Sequence, residues 1–300
     1  MPTLWALAGA HEVCAVVTQP DRPAGRGGGM TATPIGEWAA AALQGAPVFK
    51  PEKVNEAGVV NAIRGLGAEA WVVIAFGQKL GKTLLDGVFA VNLHASLLPR
   101  WRGVAPINAA VLAGDAETGN SVITLADRMD AGLVLGQTRR PIELSQTAGE
   151  LHDLLAADGP ELVLRVLEKK RRGVVRGISQ DETFVTIAPK LSKADGWVDF
   201  SQTAEECRRR VHGLTPWPGV TVQFRGQGLK LLRVQPMSGG GEEGGVVVDA
   251  AMGVVACGSG TALKILEVLP AGRKQLGWSE FARGARVERG EKLLGRTTTA

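Results

Sequence analysis

The stretch Ala90–Ile107, A-V-N-L-H-A-S-L-L-P-R-W-R-G-V-A-P-I, decides how the rest of the chain is read. A short apolar run stops abruptly at two polar residues, Asn92 and His94. They are two positions apart, so on an extended strand both side chains project from the same face. A loop rich in proline and basic residues follows. In a parallel α/β sheet, ligands meet the chain at the carboxyl ends of strands, where this pair falls. An amide N–H donor beside an imidazole suits stabilisation of an oxyanion during acyl transfer. A histidine at a strand end is more often a hydrogen-bonded structural residue, so the pair alone leaves both roles open.

Outward from this stretch, the first half of the chain alternates two patterns. Residues 13–18, 70–76, 90–93 and 121–125 are short, rich in Val and Ile, and apolar on both faces. Such runs predict strands of a parallel sheet covered by helices on both sides. Helical patterns lie between them at 37–43, 57–66 and 107–112. The alternation predicts a doubly wound, Rossmann-like α/β domain. Thr147-Ala148-Gly149-Glu150 is a capping-box pattern opening a helix, and a second helix is expected from Gly159-Pro160. That helix ends in Lys169-Lys170-Arg171-Arg172, where positive charge complements the carboxyl end of the helix dipole. Beyond about residue 176 the character shifts. A capping box at Thr203–Glu206 opens one more short helix, and Pro216-Trp217-Pro218-Gly219 breaks the chain after it. Short strands are then expected at 220–224, 229–234, 245–248, 253–256 and 262–268, with glycine-rich turns, which predicts a small OB-like β-barrel. The expected organisation is a catalytic domain over 1–175, a linker over 176–192 and the barrel domain over 193–300.

No run approaches the roughly 18 apolar residues that a membrane span requires, and the N-terminus lacks the basic region of a signal peptide. The cysteines, Cys14, Cys207 and Cys257, are scattered and odd in number. That argues for reduced thiols in a cytoplasmic protein, with neither a disulfide frame nor a zinc site. Charge is uneven: residues 1–168 carry 13 Lys and Arg against 17 Asp and Glu, and residues 169–300 carry 21 against 13. A basic half joined to a mildly acidic one is compatible with a polyanion partner such as RNA, though many basic domains bind none.

Asp130, in Met129-Asp130-Ala131-Gly132, is a third candidate for the chemistry, with Asp127 as a rival. Asp followed two residues later by Gly is most often a turn. Here a strand precedes it, which would place it at the carboxyl edge of the sheet as well.

Taken together, Asn92-Leu93-His94, Ser96-Leu97-Leu98-Pro99 and Arg100-Trp101-Arg102-Gly103 closely resemble the signature of the folate-dependent formyltransferases, and within them the branch that acts on methionyl-tRNA. The resemblance implies formyl transfer from 10-formyltetrahydrofolate to the α-amino group of methionyl initiator tRNA, without a metal or a covalent enzyme intermediate. It implies that His94 and the Asn92 amide stabilise the tetrahedral oxyanion, and that Asp130 holds His94 in a charged, oriented form and helps take the amine proton. Ser96, Leu97, Leu98 and Pro99 would form a wall against the folate, with Ser96 a contact rather than a nucleophile. The strand end at Phe76 and Gly77 would lie on the pterin side, with Phe76 where a tyrosine is usual. The loop Thr18–Gly27 resembles the family's acceptor-stem loop, which assigns tRNA contacts to Arg22 and Arg26. The segments from Gln180 to Lys190, Trp217-Pro218 and Pro270–Lys274 suit the family's linker and tRNA-binding barrel. The protein is then expected to be a cytoplasmic monomer with no membrane partner.

The resemblance fails at the start. The family opens with a central strand and a turn before its first helix, whereas this chain begins inside that helix. About one strand is expected to be missing, which would expose apolar neighbours and unpaired backbone groups. Two alternatives follow. One is another user of 10-formyltetrahydrofolate, a sugar-nucleotide formyltransferase or formyl-folate hydrolase. The other is a catalytically impaired tRNA-binding remnant.

Overall fold

The computed structural model describes residues 1–24, 28–43 and 45–296. The chain divides into two units that are not contiguous in sequence. The first comprises Met1–Arg102, Gly119–Arg139 and Leu154–Val185. The second comprises the described residues of Gly103–Thr118, Arg140–Asp153 and Thr186–Ala300. Residues 103–118 and 140–153, read from sequence as part of the catalytic domain, thus gather with the C-terminal unit.

In the first unit the helices Pro2–Ala10, Pro34–Ala42 and Ala57–Arg64 alternate with short strands. The expected single sheet is in two pieces. Val16–Val17 runs parallel to Val48–Phe49. A separate four-stranded sheet has the order Trp71–Val73, Ala90–His94, Glu117–Thr124, Val134–Pro141. Among the described residues, Val16–Val17 and Trp71–Val73 each pair on one side only. One apolar cluster serves both pieces. Val54, Val60, Ile63 and Leu84 are buried, and Val17 and Phe49 from the pair and Trp71 from the larger sheet pack against them. The other cluster gathers Val91 and Val122 of the sheet with Leu162, Val163 and Val166 of the long helix.

Two local readings need correction. Glu117–Thr124 pairs antiparallel with Ala90–His94, Ser121 opposite His94 and Thr124 opposite Val91, whereas only Trp71–Val73 is parallel to it. An apolar run carries no information about direction, because burial on both faces looks the same either way. The helices expected to start at Thr147 and Gly159 are one continuous helix, Ala148–Arg171, with Pro160 inside. A proline in a helix interior costs about 3 kcal/mol. Leu155 before it and Leu162, Val163 and Val166 after it are all buried, and at roughly 1.5–3 kcal/mol per buried side chain that burial outweighs the break.

The segment read as a linker starts as structure of the first unit. Ile178 and Val134 exchange backbone hydrogen bonds at 2.9 Å, and Asp181 caps the 3-10 turn Glu182–Phe184.

The second unit carries a seven-stranded antiparallel sheet. Its order is Val247–Asp249, Val254–Ala256, Thr261–Pro270, Gln227–Ser238, Val220–Phe224, Leu293–Leu294, with Leu276–Gly277 beside Thr261–Pro270. Bonds from Val247 N to Glu291 O and from Leu293 N to Gly245 O, both 2.8 Å, tie the two ends of this path and curl the sheet towards a barrel. Alternate residues of each strand face inward (Val220, Val222 and Phe224; Leu229 and Leu231; Leu263 and Ile265), as the period of two requires. The helix Ala204–Leu214 packs on this core with Cys207, Val211 and Leu214. Among the described residues no helix is long and apolar enough to cross a membrane.

Candidate active site

Asn92 and His94 occupy the end of the strand Ala90–His94 and do share a face, because both reach the same carboxylate. Asn92 Nδ2 lies 3.4 Å from Asp130 Oδ1, and His94 Nδ1 lies 3.6 Å from Asp130 Oδ2. The three expected catalytic residues are thereby together. All three belong to the first unit, and His94 and Asp130 expose only 7% and 12% of their side chains. Burial keeps water from screening charge that develops at this site.

Asp130 arrives by a different route from the one expected. Because Glu117–Thr124 is antiparallel, its carboxyl end lies beside Val91, not beyond His94. The loop after Thr124 turns back to deliver Asp130, which adopts φ +52. That left-handed conformation costs a non-glycine residue on the order of 1–3 kcal/mol and persists only where its surroundings impose it. Gly132 is one of those surroundings. A Cβ there would fall onto the Thr124 carbonyl oxygen, so only glycine lets the loop lie this close to the strand. Asp127, the rival acid, is exposed.

The second imidazole nitrogen is also committed. His94 Nε2 lies 2.8 Å from the carbonyl oxygen of Trp101. A carbonyl only accepts, so Nε2 carries the hydrogen and Nδ1 is the nitrogen facing Asp130. Trp101 holds its carbonyl there with φ +63, a second left-handed residue at the site. In this arrangement His94 meets Asp130 and Trp101 rather than holding an N–H open for an oxyanion. One amide hydrogen of Asn92 points to Asp130, and its Nδ2 has a second to donate.

Three further residues, which local sequence pattern did not single out, brace these loops. Gln180 Nε2 donates to the backbone carbonyls of Asp130 (2.7 Å) and Gly132 (2.8 Å). Its Oε1 accepts from Arg102 Nε at 2.9 Å. Arg102, buried, also forks onto Glu182, which in turn holds Arg128 at 2.8 Å. No periodicity marks such residues, since the partners lie 48 to 80 positions away.

The loop Ser96–Pro99 follows His94. Ser96 is fully buried and its hydroxyl donates to Arg100 O at 2.7 Å, so it shapes the turn from behind instead of facing out. Ser121 donates to Ser96 O (2.6 Å) and accepts from Leu98 N (3.1 Å), and Gln137 Nε2 reaches both Ser121 Oγ (2.8 Å) and Leu98 O (3.0 Å). Leu98 is buried, whereas Leu97 and Pro99 are partly exposed. Phe76 packs against the Val54 cluster, its carbonyl accepts from the Gln19 side chain, and Gly77 is exposed with φ +79. Arg22 starts the hairpin Arg22–Ala24/Gly29–Thr31 and pairs with Glu52 at 3.0 Å on the surface. Arg26 lies outside the described residues. Among the described residues no group of three or more His, Cys, Asp or Glu side chains is placed to hold a metal ion.

Comparison with known proteins places the chain in a family. Residues 6–167 match the family "Formyl transferase" and residues 190–286 match "Formyl transferase, C-terminal domain". A methionyl-tRNA formyltransferase of Magnetococcus marinus is 41% identical over 97% of this chain and 94% of its own length. That of Symbiobacterium thermophilum is 40% identical over 96% and 89%. Among solved structures, an N-formyltransferase from Helicobacter canadensis, in complex with folinic acid and dTDP-3-aminofucose, superposes with a TM-score of 0.65 over 88% of this chain and 93% of that one, at 12% identity. HypX from Aquifex aeolicus in complex with tetrahydrofolic acid superposes with a TM-score of 0.57 over 79% of this chain and 44% of that one, at 20% identity. These two likenesses speak for the fold. The two family matches and the near full-length identity together show that the chain belongs to the formyl transferase family, beside the methionyl-tRNA formyltransferases.

Proposed function

We propose that this chain transfers the formyl group of 10-formyltetrahydrofolate to the α-amino group of methionyl initiator tRNA. The observation that carries the reading is the convergence of Asn92, His94 and Asp130 on one another, with His94 buried and Asn92 and Asp130 partly so. The identity to methionyl-tRNA formyltransferases over nearly the full length supports the choice of acceptor.

In the reaction the amine nitrogen attacks the formyl carbon, and the carbonyl electron pair moves onto oxygen. The tetrahedral oxyanion collapses with cleavage of the bond to N10. The amine loses one proton and N10 gains one. The second N–H of Asn92 is the direct donor to the oxyanion. Asp130 and His94 Nδ1 form the pair through which the amine proton passes towards N10, and the Trp101 carbonyl fixes the tautomer that leaves Nδ1 available. The positive charge that His94 gains on taking the proton lies beside the developing oxyanion and stabilises it. Leu97 and Pro99 form the wall against the folate, held from behind by Ser96, Ser121 and Gln137, with Phe76 and Gly77 on the pterin side. Arg22, on its exposed hairpin, and Arg26 meet the acceptor stem.

The test is formyl transfer from 10-formyltetrahydrofolate to methionyl initiator tRNA, run beside a His94→Ala variant. Turnover that the variant reduces by roughly a hundredfold or more supports the reading. A folded chain that binds this tRNA but never transfers formyl overturns it in favour of a binding remnant. Formylation of an amino sugar nucleotide in place of the tRNA would reassign the acceptor.

A further inference from the structure

We propose that Gln180 is a positioning residue for the transfer reaction, acting through Asp130. The inference rests on the reading of Asn92, His94 and Asp130 as the reacting site. The two loops that hold the His94 ring come from distant parts of the chain: Trp101 takes Nε2 and Asp130 faces Nδ1. Both residues sit in left-handed backbone conformations, φ +63 and φ +52, so neither loop keeps its shape by local preference.

Gln180 joins them. Its amide nitrogen gives one hydrogen to the carbonyl of Asp130 and the other to that of Gly132, which brackets the strained turn. Its amide oxygen takes the Nε hydrogen of Arg102, the neighbour of Trp101 in the chain. The orientation of the amide is not a free choice. Two carbonyls can only accept and a guanidinium can only donate, so one flip satisfies all three contacts and the other satisfies none. Arg102 is fixed on its other side by Glu182, which also holds Arg128, two residues before Asp130. The strap therefore sets the Asp130 carboxylate relative to the imidazole while itself remaining clear of the reacting atoms.

Gln180 has no near substitute. Methionine matches its length but offers no donor. Glutamate keeps the Arg102 contact but turns a carboxylate on two carbonyl oxygens.

A double-mutant cycle with Gln180→Met and Asp130→Asn tests this. In the otherwise unaltered chain, Gln180→Met is expected to lower kcat by about 10- to 100-fold, the scale of a small misplacement of a reacting group. KM for 10-formyltetrahydrofolate and for the tRNA should stay within about 3-fold. In the Asp130→Asn background the same change is expected to cost nothing further. Equal losses in both backgrounds, or a change in KM with kcat intact, overturn the proposal. If Asp130→Asn is slow while Gln180→Met is fully active, the strap is wrong and the site stands. If Asp130→Asn is itself fully active, the site reading fails. Should Gln180→Met not fold, Gln180→Glu gives a second readout. That variant, which keeps the Arg102 contact and loses both donors, is run through the same cycle: a kcat loss in the unaltered chain that vanishes in the Asp130→Asn background supports the strap. Equal losses in both backgrounds overturn it.

Discussion

At the scale of single residues, the site depends on positions where one side chain, or none, can be accommodated. Gly132→Ala would force a Cβ against the Thr124 carbonyl and push the Asp130 loop off the strand. The expected loss is about 1–3 kcal/mol of stability together with a fall in kcat, read by denaturant unfolding and steady-state kinetics on the same sample. His212, in the second unit, shows the reverse case of a histidine with no part in the chemistry. It is fully buried, with Nδ1 3.1 Å from Leu144 O and Nε2 accepting from Val234 N at 3.1 Å. Burial, with Arg208 beside it, pushes its imidazole down to about 4. An unfolded chain would titrate it at about 6.5. Between those values the unfolded state binds the extra proton, so this contribution is complete above about pH 6.5 and is lost as the pH falls to about 4. Its size is on the order of 3 kcal/mol. The check is an NMR titration of the ring, and a midpoint near the free value would contradict the burial.

At the scale of elements, local chemistry and tertiary contact divide the work visibly. The capping boxes were legible because each closes within four residues. Thr203 accepts from Glu206 N at 3.3 Å while Glu206 takes the Thr203 N–H at 2.9 Å, and Thr147 and Glu150 repeat the pattern. Thr203→Ala is expected to cost about 1 kcal/mol in a thermal or urea melt. Five of the seven barrel strands were legible as well, since alternation encodes which face is buried, whereas the two-residue strands Leu276–Gly277 and Leu293–Leu294 were not. The direction of Glu117–Thr124 was not, and the error carried over to the path by which Asp130 reaches the site. The continuity of Ala148–Arg171 through Pro160 was missed for a related reason. A local rule against proline was outweighed by apolar contacts with residues distant in sequence.

At the scale of the whole molecule, the net charge of +4 hides a basic excess concentrated after residue 168. Much of it is internally paired. Arg208 and Arg209 both hold Glu205, Arg225 holds Glu291, Lys292 holds Glu243, and Arg233 holds Glu150. Attraction to a polyanion then falls to those basic groups that remain accessible. If the acceptor is tRNA, raising monovalent salt from about 50 to about 200 mM should raise KM for the tRNA by an order of magnitude or more. KM for 10-formyltetrahydrofolate should move far less. Equal salt sensitivity of the two substrates would argue against a tRNA acceptor. The split of the first unit's strands between two sheets belongs to this scale too. Two one-sided strands that share an apolar cluster are visible only once the chain is folded.

By itself the sequence determined what depends on neighbours along the chain. This includes the shared face of Asn92 and His94, the helix caps, the inward faces of the barrel strands, and the family signature around Ser96–Gly103. Only the tertiary structure decided the direction of Glu117–Thr124, the nitrogen of His94 that faces Asp130, the internal role of Ser96, and the strap made by Gln180. The Asn92–Asp130 contact spans 38 positions and the Gln180 contacts 48 and 50. Contacts at such separations leave no period in the sequence. They are set by how buried surfaces and backbone hydrogen bonds are satisfied across the whole unit.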